Sequence, residues 1–81
     1  MAKSGKSFDN LVRSAVAAKI RAKRAEAGLS QEQLGARARI HRTYIGAIER
    51  CEKNVTAVTL AKIARALHCK LADLVPEDLS F

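Results

Sequence analysis

The apolar residues near the start of the chain recur at the spacing of an α-helix. They stand four positions apart, at Phe8, Val12, Val16 and Ile20. This spacing places them on one face of a helix. Good helix formers continue the stretch to Ala27, and Gly28 follows where a helix would end. The pattern predicts a first helix over residues 8–27.

Two short helices joined by a tight turn are predicted next. Ser30 and Gln33 form a capping-box pattern that opens a helix over residues 31–38. A pair of isoleucines spaced three apart predicts a second short helix over residues 42–50. Helices of this length are unstable alone in water, so tertiary packing must hold both of them. Such a pair is typical of a helix-turn-helix, whose second helix enters the major groove of DNA.

The rest of the chain is also predicted to be helical. Thr56 can cap a fourth helix, whose apolar stripe is formed by Leu60, Ile63, Ala64 and Leu67. A fifth, short helix is predicted over residues 71–75, before Pro76, and the alternative is a helical turn that Pro76 closes. No segment alternates polar and apolar residues as a strand would. We therefore expect an all-α, five-helix domain over residues 8–81, preceded by a basic, disordered segment over residues 1–7.

The charge of the chain limits the classes of function that it can have. Fifteen Lys and Arg against eight Asp and Glu give a net charge of +7 over 81 residues. This balance is typical of small nucleic-acid-binding domains. A membrane-surface helix has a similar composition, but the first helix needs its apolar face for the core. The chain has no apolar run of about 20 residues. We expect no signal peptide, because residues 1–8 carry two lysines with no apolar stretch behind them. Two cysteines suit a reducing compartment, and we expect a cytoplasmic, nucleoid-associated protein.

Catalytic and metal-binding patterns are absent from the sequence. It contains no glycine-rich phosphate loop, no HExxH motif and no pair of carboxylates framed by a pocket. Four residues have side chains that can bind metals but lack the spacing of a metal site: His41, Cys51, His68 and Cys69. We expect no enzymatic activity, no metal and no cofactor. A redox role for Cys51 stays open, although no motif that lowers a thiol pKa supports it.

Two strings of residues resemble a known family. LSQEQL at residues 29–34 and RTYIGAIER at residues 42–50, with the stripe over residues 60–67, resemble the lambda-repressor/Cro-like (XRE) helix-turn-helix family. The resemblance covers about residues 20–75. HRTYIGAIER followed by Lys53 and Asn54 is similar to controller proteins of restriction–modification systems. These are small dimeric regulators that bind palindromic operators beside their own promoter.

The resemblance implies a transcriptional regulator with double-stranded DNA as its partner. It further implies a homodimer, and a contact with RNA polymerase when the dimer sits beside a promoter. Two other functions stay open: a general repressor of a phage or chromosomal operon, and the antitoxin of a toxin–antitoxin pair. The genes adjacent to this one would separate the three.

The resemblance also implies which residues contact DNA. Arg42 would read guanine with its planar fork, and Thr43 would contact a thymine methyl, a base or a phosphate. Tyr44 would contact a phosphate or a sugar, and Ala47 would face the groove with van der Waals contact alone. Backbone contacts are implied for a further set: Gln31, Lys53 and Asn54. Arg39, which departs from the glycine common in the family, could add a phosphate contact of its own. The alternatives are a solvated Arg42, a Tyr44 that packs half-buried, and a loop whose polar residues serve solubility.

Other matched positions are structural. Arg24 and Glu49 stand where family members form a salt bridge between the first and third helices; two unrelated exposed charges are the alternative. Arg39 and Cys51 occupy positions where the family often has glycine, so a positive φ is expected there. His41 replaces the usual Ser or Thr cap of the third helix.

A dimer surface is predicted from the C-terminal segment. It is apolar and acidic, with no further helix to cover its hydrophobic side chains: Leu74, Val75, Leu79 and Phe81. The alternative is that these side chains fold back onto the first helix.

Overall fold

A computed structural model describes residues 7–79 of the chain and contains only helices and turns in that range. The four α-helices are α1 (Phe8–Glu26), α2 (Gln31–Ala38), α3 (Arg42–Glu49) and α4 (Ala57–Ala66), followed by a 3-10 turn over Leu71–Leu74. The predicted disordered segment lies outside the described residues except for its last position, Ser7.

The prediction of five α-helices is wrong, and the alternative, a helical turn closed by Pro76, is what the structure has. Residues 71–74 form one 3-10 turn, and Val75 already has extended backbone angles. The residue before a proline is driven out of the helical region, so Pro76 ends the segment before a second turn can form. A single turn is the length at which 3-10 hydrogen bonding is common.

A side chain caps the start of each α-helix. The Ser30 hydroxyl accepts a hydrogen bond from the Gln33 backbone N–H at 3.0 Å, and the Gln33 side-chain oxygen accepts one from the Ser30 backbone N–H at 2.8 Å. Ser7 and Thr56 accept equivalent bonds at α1 and α4. His41, the unusual cap, accepts from the Thr43 N–H through Nδ1 at 3.0 Å. The imidazole therefore replaces a hydroxyl at the start of α3.

The core is assembled between all the elements. α3 packs against α1 and α2, α4 packs against α2, and the 3-10 turn packs against α1 and α4. The largest side chains that are fully buried are one from each element: Ile20, Leu34, Ile45, Ile63 and Leu74. A Cβ at Gly35 would clash with the carbonyl oxygen of Ile40, so α2 approaches the turn at a distance that only glycine permits.

Within residues 7–79, three residues other than glycine have left-handed backbones. φ is 60° at Arg39, 64° at Cys51 and 55° at His68. The positive φ expected at Arg39 and Cys51 is confirmed, whereas the sequence offered no sign of it at His68. Each residue lies just after the end of an α-helix, where a left-handed residue lets the chain turn away.

Replacing Cys51 with glycine should raise the free energy of unfolding by about 0.5–1 kcal/mol, because glycine adopts positive φ without strain. Its thiol makes one weak contact, with the Ser14 hydroxyl at 3.7 Å. Urea denaturation measures the change. Cys69→Gly is the matched control: Cys69 has no positive φ and packs against the core, so this variant should be less stable. Equal destabilisation by both variants would contradict the strain at Cys51.

Candidate nucleic-acid interface

One face of α3 is buried and its N-terminal end is exposed. Ile45 and Ile48 lie in the core, whereas Arg42 and Thr43 are exposed. Tyr44 lies between them, half-buried against the core cluster. The α3 helix is thus held along its inner side, and its leading side chains project into solvent. This is the arrangement by which a helix enters a DNA groove.

Arg42 is held by a loose ion pair at the surface. Its Nη1 lies 3.7 Å from the Glu32 carboxylate of α2, and the Arg42 side chain remains 64% exposed. An exposed pair at this distance stabilises by less than about 1 kcal/mol. Arg42 can therefore leave Glu32 for a base at little cost.

Replacing Glu32 with glutamine should raise the affinity for DNA about two- to threefold. The change releases Arg42 and removes one negative charge beside the place where phosphates would lie. Electrophoretic mobility shifts at low salt measure the affinity. Glu26→Gln on α1, which breaks the exposed pair with Lys23, is the control and should leave affinity unchanged. A fall in affinity with Glu32→Gln would show that Glu32 serves to position Arg42.

Glu49 is the centre of a buried polar network at the end of α3. The Arg24 guanidinium of α1 donates to both carboxylate oxygens, from Nε at 2.7 Å and from Nη2 at 2.9 Å. The Gln31 side chain of α2 donates a third bond at 3.0 Å, and Arg21 donates to the Glu49 carbonyl oxygen at 2.5 Å. Residues from α1 and α2 therefore converge on one carboxylate and fix the orientation of α3.

The hydrogen bonds also determine the charge of Glu49. Burial alone would raise the pKa of this carboxyl, but the bonds from Arg24 and Gln31 and the nearby arginine charges hold its pKa below the usual range. The bond from Arg24 to Glu49 likewise raises the pKa of the guanidinium. Both groups stay ionised at neutral pH.

Gln31 has a partner that the sequence did not predict. Its amide nitrogen donates one hydrogen bond to Glu49, since a buried carboxylate is stable only when it is paired and hydrogen-bonded. One N–H of the amide is therefore used within the protein, and the phosphate contact expected of Gln31 stays a prediction. Gln31 also stands at the N-terminal end of α2, where the helix dipole favours an anion.

A second arginine of α1 holds the loop after α3. Arg13 Nη1 donates to Asn54 Oδ1 at 2.7 Å, and Nη2 donates to Asn10. Lys53, beside Asn54, is exposed. Sequence reasoning missed Arg13, although Arg13, Arg21 and Arg24 recur along one face of α1 at helical spacing. That spacing was the signal that could have identified it.

The remaining expected contact residues differ in exposure. Arg39 is exposed and occupies the left-handed position in the turn between α2 and α3. Ala47 is 7% exposed, so its methyl group offers little surface to a duplex. The structure thus places Arg39, Arg42 and Thr43 together around the turn, and Lys53 and Asn54 in a separate loop at the other end of α3.

Some residues of the expected dimer interface are buried within the monomer. Leu74 is fully buried in the core of the monomer, which corrects its assignment to that surface, because the 3-10 turn packs onto α1 and α4. Val75 is half-buried against the same core. Leu79 is 54% exposed, and Phe81 lies outside the described residues. Leu71 is also exposed, close to the same segment.

Across residues 7–79, no three His, Cys, Asp or Glu side chains gather as a metal site would require. No helix in that range is long and apolar enough to cross a bilayer. Cys51 and Cys69 are free thiols, and burial together with Asp73 raises the pKa of Cys69, so this thiol stays protonated at neutral pH.

Comparisons with known proteins agree with this geometry. The chain is 42% identical over 64 residues to control protein C.SmaI of Serratia marcescens, covering 79% of this chain and 76% of the relative. The restriction-modification controller protein C.AhdI from Aeromonas hydrophila superposes with a TM-score of 0.75 at 34% identity, covering 76% of this chain and 94% of that one. The clp gene regulator ClgR from C. glutamicum superposes with a TM-score of 0.74 at 28% identity, covering 86% of each. Residues 20–74 match the helix-turn-helix family HTH_3, and the chain belongs to that family.

Proposed function

We propose that this protein is a sequence-specific transcriptional regulator of the controller type, which binds a palindromic operator as a homodimer. One observation carries the proposal. The leading residues of α3 are exposed while the back of the helix is fixed by Ile45, Ile48 and the Glu49 network. A rigid helix end presented in this way reads bases at low entropic cost. Its family members are regulators, and the proposal includes no enzymatic activity.

In the proposed complex, α3 lies in the major groove. Arg42 pairs with O6 and N7 of a guanine, and Thr43 contacts a thymine methyl or a phosphate. Tyr44 donates to the backbone from its half-buried position. Arg39, the start of α2 and Lys53 bind phosphates on either side of the groove. Backbone contacts set the register, and Arg42 supplies most of the sequence discrimination.

The controller assignment rests on the two relatives named as control or controller proteins. Acting from an operator beside its own promoter, the dimer would recruit RNA polymerase at low occupancy and block it at high occupancy. The protein would work in the cytoplasm on nucleoid DNA. The likeness to ClgR, a regulator of clp genes, favours a second candidate function, regulation of a chromosomal operon.

Footprinting on the DNA upstream of the protein's own gene tests the function. We expect protection of two half-sites about one helical turn apart and related by two-fold symmetry. Protected sequences beside restriction–modification genes would support the controller type, and protected sequences beside other operons would support the second candidate. Uniform binding without protection of any site would contradict sequence-specific regulation.

The proposed dimer forms through the exposed apolar residues of the C-terminal segment. One α3 helix buries less surface than the about 1,000–2,500 Å² of a specific complex, so two copies are required. Leu79→Glu and Leu71→Glu should each shift the chain toward monomer in sedimentation equilibrium, because a charge would be buried between copies. Val58→Glu, on the exposed face of α4, is the control. An unchanged dimer with both leucine variants would exclude this surface.

A further inference from the structure

A cavity of about 220 Å³ lies beside the C-terminal half of α3. Its walls come from α1, α3, the loop after α3 and α4. They are apolar, formed by Val12, Val16, Ile48, Val55 and Leu60. A cavity of about 150 Å³ lined by aliphatic side chains binds benzene. This cavity is therefore large enough for one ring or a short alkyl chain together with a polar group.

The polar part of the lining is positively charged. Arg13, Lys53 and Asn54 complete the cavity, and no carboxylate lines it. Lys53 and Asn54 are exposed and Arg13 is half-buried, so the polar groups lie on the solvent side of the apolar walls. A ligand that matches both the apolar walls and the cationic side chains has an apolar body and one negative charge.

We propose that this cavity is a regulatory site for a small apolar monocarboxylate. The alkyl or aryl body would lie against the valines, Ile48 and Leu60, and the carboxylate would bind Arg13 and Lys53. Arg13 now donates to the neutral amide oxygen of Asn54 at 2.7 Å. A carboxylate adds charge–charge attraction to the guanidinium, which the neutral amide oxygen of Asn54 lacks. A carboxylate would therefore displace Asn54 from Arg13.

Displacement of Asn54 would connect this site to DNA binding, a step that rests on the proposed function. Lys53 and Asn54 belong to the loop expected to contact the operator backbone, and Ile48 belongs to α3 itself. Releasing Asn54 leaves the loop less ordered, and the ligand charge neutralises cations that would face phosphates. Both effects lower the affinity for operator DNA.

Calorimetric titration of the full chain with octanoate, without DNA, tests the site itself. We expect saturable binding at one site, and binding of 1-octanol weaker by about tenfold or more, since the alcohol loses the charged contacts. Val12→Phe, which fills the cavity, should abolish octanoate binding, and Val58→Phe, exposed on α4, should not. Arg13→Gln should weaken octanoate selectively, which covers the case in which Val12→Phe fails to fold. Equal affinity for octanoate and octanol, or retained binding in folded Val12→Phe, would overturn the proposal.

A second measurement tests the coupling to DNA. Saturating octanoate should lower operator affinity about fivefold or more in the unaltered chain and leave Val12→Phe unaffected. By linkage, operator DNA should weaken octanoate binding by the same factor. Unchanged operator affinity at saturation would overturn the regulatory role. The calorimetry contains no DNA, so it tests the ligand site independently of the proposed function. Octanoate binding can be absent although the operator is protected in the footprint, and octanoate can bind although no operator is protected.

Discussion

Replacement of Arg24 by alanine is expected to lower the free energy of unfolding by about 3 kcal/mol. The variant leaves the Glu49 carboxylate, only 3% exposed, without its two strongest donors. An uncompensated buried charge costs about 3–5 kcal/mol. The Arg24 side chain is itself 21% exposed, so water reaching the space it leaves keeps the loss at the lower end. Urea denaturation at neutral pH measures the change.

Lys23→Ala is the matched control for this loss. Lys23 is the neighbouring residue of α1 and pairs with Glu26 at 3.7 Å on the exposed surface. Its replacement should change the free energy of unfolding by less than about 0.5 kcal/mol. Comparable small losses in the two variants would show that the Arg24–Glu49 pair stabilises no more than a surface ion pair.

The same pair predicts how stability depends on pH. The pKa of Glu49 is lower in the folded chain than its ordinary value of about 4.3. The stabilisation is therefore complete above that ordinary value and is lost as pH falls through the lower, folded-state pKa. The difference in stability between the unaltered chain and Arg24→Ala should accordingly narrow below about pH 4. A difference that stays constant from pH 7 to pH 3 would contradict the role of the ionised carboxylate.

Replacement of Arg42 by alanine is expected to weaken operator binding by about 1–3 kcal/mol and to relax the preference at one base pair in each half-site. Arg42 is exposed at the start of α3, and its loose pair with Glu32 leaves the guanidinium available. Binding to random DNA should change far less, because a base contact contributes nothing there. Mobility shifts with operator and scrambled duplexes measure both affinities.

Lys53→Ala provides the contrast to Arg42→Ala. A phosphate contact carries no sequence information, so its loss should weaken operator and scrambled DNA alike. It should also reduce the slope of log affinity against log salt by about one for each protomer. Equal losses on both duplexes with Arg42→Ala would show that Arg42 binds backbone and reads no base.

Local patterns account for most of the secondary structure. The bounds of α2 were predicted at both ends. Its start was marked by Ser30 and Gln33, which form a cap within four residues of chain. The left-handed turns at Arg39 and Cys51 were anticipated from glycines expected at those positions. The fifth helix failed because periodicity alone could not distinguish one 3-10 turn from a short α-helix before Pro76.

Some residues of the candidate site were predicted and others were not, because sequence patterns are local and contacts between helices are not. Arg42 and Thr43 follow from their place at the start of α3, which is a local property. The partners of Arg13 and Gln31 come from other helices, and no spacing in the chain specifies which donor reaches Asn54 or Glu49. Leu74 belongs to an apolar segment that was predicted to form the dimer interface, but its side chain lies in the monomer core.

By itself, the sequence determined the caps that open the helices, the bounds of α2, and that the chain is basic and helical, because caps, periodicity and charge act over a few neighbouring residues. Tertiary structure alone decided that Gln31 faces Glu49, that Arg13 holds the loop after α3, and that Leu74 is buried. Burial and hydrogen-bond partners depend on how separate helices meet in space, and the free energy that selects this arrangement comes from the whole core.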